Sequence, residues 1–464
     1  MGGSRGDGGR GGWTPSGAVA IFRRPRSAPP GPSLPDRLLT GPRTQRAIFL
    51  FWAPLAATWL MIATEGPFLA AVIARLPDPT FNLAAHGVAF AFAVLIEAPV
   101  IMLMSAATAL AEDAEAFRRL RNFMRALNLG TTAVLLLFLI PPVYRFVMLE
   151  MVGLPVEVAE LTYGALWLYL PWPAAIGYRR FHQGVMVRAG RTRQVAYGTI
   201  IRLAAMAAGA LVGAYLLRIP GAWVGALALS CGVMGEALAV RFMAASSVRE
   251  VQARRPEDGG GGMPYREILT FYYPLALTSL IGLAVHPMLT FFMGRAVSPV
   301  ESLAVFPVVN ALSFVFRAVG LSFQDAAIAL LGRRHEHVRE LGRFGLTLGA
   351  ATTAGMAAVA FTPMADVWFV QISGLTRELT DVALTPTRVI VLLPALSVLL
   401  SLQRAILVQG RRTRPITVAT TIEVVSVGVL FVVFGFGLDW VGATAAFAAF
   451  LGGRTASNLY LIPR

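Results

Sequence analysis

Long apolar runs, separated by short polar breaks, recur along the chain from about residue 46 to its end. A helix needs ~20 residues to cross a hydrocarbon core of ~30 Å, and each run reaches that length. The pattern predicts about twelve spans. In the first half they cover residues 46–76, 82–110, 118–144, 157–181, 193–217 and 220–245. In the second they cover 266–296, 298–331, 337–363, 380–408, 414–437 and 440–462. Between the sixth and seventh lies VREVQARRPEDGGGGMPYRE, a polar, Gly-rich stretch that reads as a cytoplasmic linker over 246–265. Residues 1–45 are rich in Gly, Pro and Arg, contain no long apolar run, and read as a disordered basic cytoplasmic tail. No signal-peptide core precedes the first span, which is expected to act as the insertion signal.

Composition agrees with this pattern. Of the 464 residues 56% are hydrophobic and 14% charged, with a mean hydropathy of +0.65; soluble domains carry roughly 25% charged residues. That is too much apolar surface for a water-soluble fold to hide. The formal charge of +15 raises the possibility of nucleic acid, but its distribution does not support it. Every basic residue is Arg, with no Lys, and the arginines cluster between apolar runs. The clusters are Arg118, Arg119 and Arg121; Arg188, Arg191 and Arg193; Arg249, Arg254 and Arg255; Arg333, Arg334 and Arg339; Arg411, Arg412 and Arg414. They follow spans two, four, six, eight and ten, while the alternate loops are poorer in Arg or richer in acid. This is a positive-inside pattern with both termini cytoplasmic. The lack of Lys fits a GC-rich coding sequence, hence a multi-pass protein of a bacterial inner (plasma) membrane, expected to work as a monomer. Its single cysteine, Cys231, lies in an apolar stretch, so neither a disulfide framework nor a Cys-based metal site is available.

The two halves of the chain resemble each other. RAIFLFWAPLAATWL from Arg46 aligns with REILTFYYPLALTSL from Arg266, at the offset of 220 that separates Pro54 from Pro274. The same offset pairs Pro67 with Pro287, Arg75 with Arg295, and Ala106, Ala107, Ala109 and Leu110 with Ala326, Ala327, Ala329 and Leu330. Later it becomes 221, pairing Pro173 with Pro394 and Arg191-Thr192-Arg193 with Arg412-Thr413-Arg414. Six spans per repeat give both halves one orientation, so the pseudo-two-fold runs along the membrane normal. The expected fold is an all-α polytopic membrane protein of two homologous six-helix bundles, an N-lobe at 46–245 and a C-lobe at 266–464. A substrate path between bundles that rock about it is the physical basis of alternating access.

On these residues the chain resembles the multidrug/oligosaccharidyl-lipid/polysaccharide exporter superfamily, which includes the MATE drug exporters. The marks are six plus six helices, a Pro-bearing first helix in each half, and a turn after each fourth helix. That turn reads PAAIGYRRFHQGVMVRAGRTR and PALSVLLSLQRAILVQGRRTR here. FYYPLALTSLIGLAVHPMLTFFMGRAVS, from Phe271, is similar to the seventh-helix region of the progressive ankylosis family. Pro274, Pro287 and Arg295 keep that family's spacing, whereas His286 stands where the animal proteins have Arg. The superfamily resemblance implies export of a small molecule coupled to protons or sodium. The ankylosis resemblance implies citrate-, nucleotide- or pyrophosphate-like anions.

An ionisable side chain at membrane depth costs ~2.5–3.5 kcal/mol on insertion scales, which makes each one a functional candidate. Glu65 lies mid-span before Gly66-Pro67, where a freed carbonyl and a carboxylate together suit a proton or Na⁺. Pro54, Pro67, Pro274 and Pro287 are expected to kink the first helix of each half. Glu97 and Arg317 occupy equivalent positions and are expected either to pair across the cavity or to bind substrate singly; an ion pair within one lobe is the plainer alternative. Arg202 and Glu423 are a second equivalent couple, suited to lobe-closing contacts or substrate binding. His286 is a candidate for substrate or proton contact. Arg179, Arg180, His182 and Arg404 read as interfacial anchors or as a funnel for anions, and Asp325 is a weaker candidate. Gly209/Gly213, Gly221/Gly225 and Gly345/Gly349 read as sites of close helix approach.

No enzyme, cofactor or metal signature is present. His86, His182, His286, His335 and His337 form no metal-binding motif, and no P-loop occurs, so the energy source is expected to be an ion gradient or solute exchange. The leading expectation is a secondary transporter of a small anionic or amphipathic solute. A lipid-linked oligosaccharide flippase and a cationic drug antiporter are the alternatives. A major-facilitator fold shares the six-plus-six repeat, but AEDAEAFRRLRN after span two lacks its signature.

Overall fold

The structure is a computed structural model that describes residues 44–254, 264–331, 337–410, 412 and 414–462. The tail expected over residues 1–45 falls almost wholly outside these residues, as do His335 and residues 255–263 of the expected linker. The part of the linker that is described begins as a helix, Ala245–Ala253.

In the N-lobe, α1 is Gln45–Ala74, α2 Pro79–Leu110 and α3 Ala114–Phe138. The lobe continues with α4 in two arms, Val156–Leu168 and Trp172–Arg188, then α5 Arg193–Leu217 and α6 Gly221–Met243. In the C-lobe, α7 is Tyr265–Met293, α8 Pro299–Leu330, α9 Val338–Phe361, α10 Arg377–Gln409, α11 Arg414–Gly437 and α12 Gly442–Leu461. Thr44 caps α1 by accepting from the Ala47 amide, and Asp113 caps α3 by accepting from Glu115 and Ala116. Pro79 and Pro299 open α2 and α8 at the first turn, where no N–H is needed. Regular structure among the described residues is helical, apart from a single bridge between Val297 and Val441.

Nine of these helices are long and apolar enough to span a membrane, and a tenth span is obtained if α3 is joined to Pro141–Met151, from which it bends by 73°. This bend shortens the third predicted span: Pro141 and Pro142 turn the chain soon after Phe138. The fourth span fails as one helix because it breaks at Tyr169–Pro171 into arms of 13 and 17 residues. α12, at 20 residues, is diluted by Arg454, Thr455, Ser457 and Asn458. Large apolar side chains on the perimeter, among them Leu129, Leu216, Phe242 and Leu346, are 73–76% exposed, as a lipid-facing surface requires.

The repeat extends to irregular backbone. Asp78 and Ser298 share a left-handed conformation (φ 51° in both), as do Gly153 and Gly374 (φ 76° and 73°). Wide turns at Phe146–Met151 and Val212–Leu217 recur at Val367–Ile372 and Val432–Gly437. α1 is interrupted at Thr64 and α7 at Ala284, each three residues before a proline. Pro67 and Pro287 have no N–H for the carbonyl four residues back, so the helix breaks there. Pro54 and Pro274 cause no such break. The helix runs through both without interruption, and Thr58 and Thr278 donate to the two proline carbonyls.

Close approach between helices depends on small residues, because lipid gives no hydrophobic reward for helix pairing. A Cβ on Gly184 would stand 2.4 Å from the Met104 carbonyl oxygen, so glycine is what brings α4 onto α2. Gly209 meets Cys231 in the same way across α5 and α6, and Gly345 meets Phe323 across α9 and α8.

The lobes also trade helix ends. The first half of α1 packs on α8, where Trp52 donates to Ser322 Oγ at 2.8 Å and stands edge-on to Phe344 of α9. Its second half returns to α2 and α6. α7 mirrors this, with Tyr272 donating to the Pro99 carbonyl of α2 and meeting Phe123 of α3 edge-on. Between these crossings α2 and α8 lie side by side, Gly87 against Pro307.

Candidate functional site

A cavity of about 510 Å³ lies between the lobes, within the usual size range for small-molecule sites. Its walls come from α1, α2, α5 and α6 on one side and from α7, α8, α10 and α12 on the other. Gly66 faces Ala311 at this wall; a Cβ there would lie 3.0 Å from the alanine methyl, so only glycine lets α1 and α8 come this close.

Charge is unevenly placed. On the N-lobe side Glu65, at the start of the second arm of α1, meets Arg202 of α5 at 2.5 Å. On the C-lobe side stand Arg317, Arg404 and Arg454. Arg454 is neutralised by Glu423 at 2.7 Å and also donates to Ser397 Oγ at 3.0 Å. Arg317 donates to Asn310 Oδ1 at 3.1 Å, with its guanidinium 5.3 Å from the centre of the Phe450 ring. Arg404 donates to Thr420 Oγ1 at 3.3 Å. Among the described residues neither Arg317 nor Arg404 has a carboxylate partner, and the Nε atoms of both are buried without a bond. The walls therefore present two uncompensated guanidinium groups, a donor-rich surface suited to carboxylate or phosphate.

Of the residues singled out from the sequence, Glu65, Arg202, His286, Arg317 and Arg404 line this cavity. Glu97 does not. It is 6% exposed inside the N-lobe, in the field of Arg179, Arg180 and Arg202, so the expected Glu97–Arg317 pair does not form. The two equivalent positions differ in surroundings, since Arg317 of α8 reaches the cavity wall while Glu97 of α2 stays inside its own lobe. Arg202 and Glu423 do not meet either; each is held within its lobe, by Glu65 and by Arg454. Glu423 reaches the cavity only through Arg454.

Two charged residues were not anticipated. Arg454 is the only charged residue in the twelfth predicted span, and by the membrane-depth rule that isolation is a usable signal. Glu236 of α6 joins Arg179 at 2.6 Å and Gln183 at 2.8 Å, which makes Arg179 a structural ion-pair partner rather than an interfacial anchor. Asp325 accepts from Trp59 at 3.0 Å and thus belongs to the contact between α1 and α8.

No protein-family model and no curated protein matches this sequence. Solved structures do match. A multidrug resistance MATE family transporter of the MOP superfamily, in an inward-facing conformation, aligns with a TM-score of 0.68 at 12% identity, over 88% of this chain and 95% of its own. The lipid II flippase MurJ, in an inward closed conformation, gives 0.68 at 15% identity, over 89% of this chain and 87% of its own. An outward-facing conformation of a MATE family transporter of the same superfamily gives 0.59 at 15% identity, over 91% and 95%. The chain thus has the twelve-helix, two-lobed fold of these membrane transporters.

Proposed function

We propose that this chain is a secondary transporter that exports a small anionic solute by alternating access of its two lobes. The uncompensated guanidinium pair, Arg317 and Arg404, on the wall of the inter-lobe cavity is the observation that carries the reading. A carboxylate or phosphate entering there gains charge-assisted hydrogen bonds that no acid among the described residues now occupies. The seventh-helix resemblance to the progressive ankylosis family points the same way, with His286 on the wall at the departing position. The Arg-rich ends of the helices face the cytoplasm in this reading, with both termini there and the membrane a bacterial inner membrane. Glu65 and Glu97 are the carboxylates able to carry a coupling proton or Na⁺; no enzymatic step is required, and the working unit is a monomer.

The test is ligand-induced thermal stabilisation of the protein purified in detergent. The panel contains citrate, pyrophosphate and nucleotides, then organic cations, then an undecaprenyl-linked lipid. A ligand bound only by the folded state at ~100 times its Kd adds ~2.7 kcal/mol of stability. Stabilisation by an anion, lost in Arg317→Gln, supports the proposal. A response to organic cations alone sinks it in favour of drug efflux, and a response to the lipid alone sinks it in favour of flipping.

A further inference from the structure

The helix ends remote from the Arg clusters carry a feature that the cavity does not explain. Arg75, at the end of α1, crosses to the C-lobe and donates through Nη2 to the Gln371 carbonyl at 2.6 Å. Arg295, at the end of α7, crosses to the N-lobe and donates through Nη2 to the Glu150 carbonyl at 2.7 Å. The two contacts are copies, since Arg75 and Arg295 are repeat equivalents, as are Glu150 and Gln371.

Both acceptors lie in the same kind of place. Glu150 and Gln371 each sit in a wide helical turn, Phe146–Met151 and Val367–Ile372, that ends a run of helix. Carbonyls at such an end lack intrahelical donors and carry the negative pole of the helix, so a guanidinium from outside both satisfies and neutralises them. Gly153 and Gly374 then turn the chain away in the left-handed conformation (φ 76° and 73°). Gly374 also leaves room for its arginine, since a Cβ there would lie 2.9 Å from Arg75 Nη1; at Gly153 the Arg295 side chain packs at ordinary contact distance, 3.6 Å from where a Cβ would stand. Second contacts hold each arginine in place. Arg75 Nη1 bonds the Ala71 carbonyl at 2.7 Å, and the Arg295 guanidinium stands 4.5 Å from the centre of the Phe291 ring.

We propose that Arg75 and Arg295 are a paired latch that holds the far ends of the lobes together and is released when the transporter opens to the outside. This rests on the alternating-access reading, and it goes beyond it by naming the contacts that must break in the outward step. Each bond joins different lobes, so a rocking motion that parts the far ends breaks both. Neither contact requires substrate, so the latch acts on the unliganded equilibrium.

The test measures the separation of the far ends with no ligand present. Spin labels are placed at Glu157→Cys and Glu378→Cys, exposed equivalents at the starts of α4 and α10, in a Cys231→Ala background. Electron–electron double resonance in nanodiscs is expected to give one short distance for the otherwise unaltered protein. In Arg75→Gln/Arg295→Gln a longer component is expected, with the long-to-short ratio raised about fivefold for each latch removed, the modest size reflecting exposed charges. Arg377→Gln, which removes an arginine on the same face that bonds Asp366 of its own lobe, is expected to leave the distances unaltered. An unaltered distribution in the double variant overturns the latch, and so does an equal shift in the Arg377 control. If the double variant does not fold, the single variants decide: no rise in either overturns the proposal. A failure of anion binding in the thermal panel, by contrast, leaves this distance measurement untouched.

Discussion

Glu65 Oε2 lies 2.5 Å from Arg202 Nη2, which ties the mid-membrane break of α1 to α5 across the N-lobe wall of the cavity. The side chains are 9% and 17% exposed, so both charges have largely left water and depend on each other. Removing one partner strands the other. We expect Glu65→Gln to lower stability by ~3–5 kcal/mol, and Glu65→Leu/Arg202→Leu to recover much of that loss. Thermal unfolding of the two variants in detergent checks this; equal losses in both would show that the pair contributes little beyond its packing.

Arg317 offers a planar fork of donors toward the cavity, and lysine cannot reproduce it. Arg317→Lys is expected to weaken anion binding by about tenfold and Arg317→Gln by more, since one charge-assisted hydrogen bond is worth ~1.5–3 kcal/mol. The unliganded melting temperature should barely change, because among the described residues Arg317 has no carboxylate partner to leave behind. Titration calorimetry with the stabilising anion separates this from a folding defect.

The Arg179–Glu236 pair is structural in this account, at 2.6 Å with side-chain exposures of 7% and 1%. Glu236→Gln is expected to destabilise by ~3–5 kcal/mol, while Arg179→Met/Glu236→Leu folds with near-native stability. Transport by the double variant should survive. If it is lost while binding persists, the pair belongs to the coupling path instead.

Close packing of α2 and α4 predicts a steep response at one glycine. Gly184→Ala places a methyl 2.4 Å from a backbone carbonyl and should cost ~1–3 kcal/mol. Gly130 has nothing within 4 Å of its would-be Cβ, and Gly130→Ala on the same scale should be neutral or slightly stabilising. Melting temperatures of the two variants give the comparison directly.

The sequence showed the architecture well and the site only in part, for identifiable reasons. Span length and the period of the Arg clusters depend on bilayer thickness and topology, which act on each segment separately. Pro67 and Pro287 likewise act on their own helix, so the breaks at Thr64 and Ala284 could be foreseen. Pro54 showed no such effect, because the response of a helix to proline also depends on its neighbours. Charge partners are different again. Whether Arg202 meets Glu65 or Glu423 depends on which face of α5 turns inward, and the repeat identifies equivalent positions without placing them in contact. Glu97 and Arg317 illustrate that error. Arg454 has no charged counterpart in the first half, where Val233 stands, so the repeat gives no sign of it.

The exchange of helix ends between the lobes bears on how such a chain arises. Because the first half of α1 rests on α8 and that of α7 rests on α2, neither six-helix unit covers its own α2 or α8 completely. An ancestor with one copy had to work as a parallel pair of chains, each lending its first helix to the other. Such a homodimer must put the same residue in both halves of its central chamber. Only after the copies were joined could one half place an acid on the chamber wall at position 65 while the other kept valine at position 285. Only then, too, could the second half place an arginine there at position 317 while the first kept its acid at position 97 buried inside its own lobe. Joining the copies thus made it possible for the two walls of one chamber to carry different chemistry.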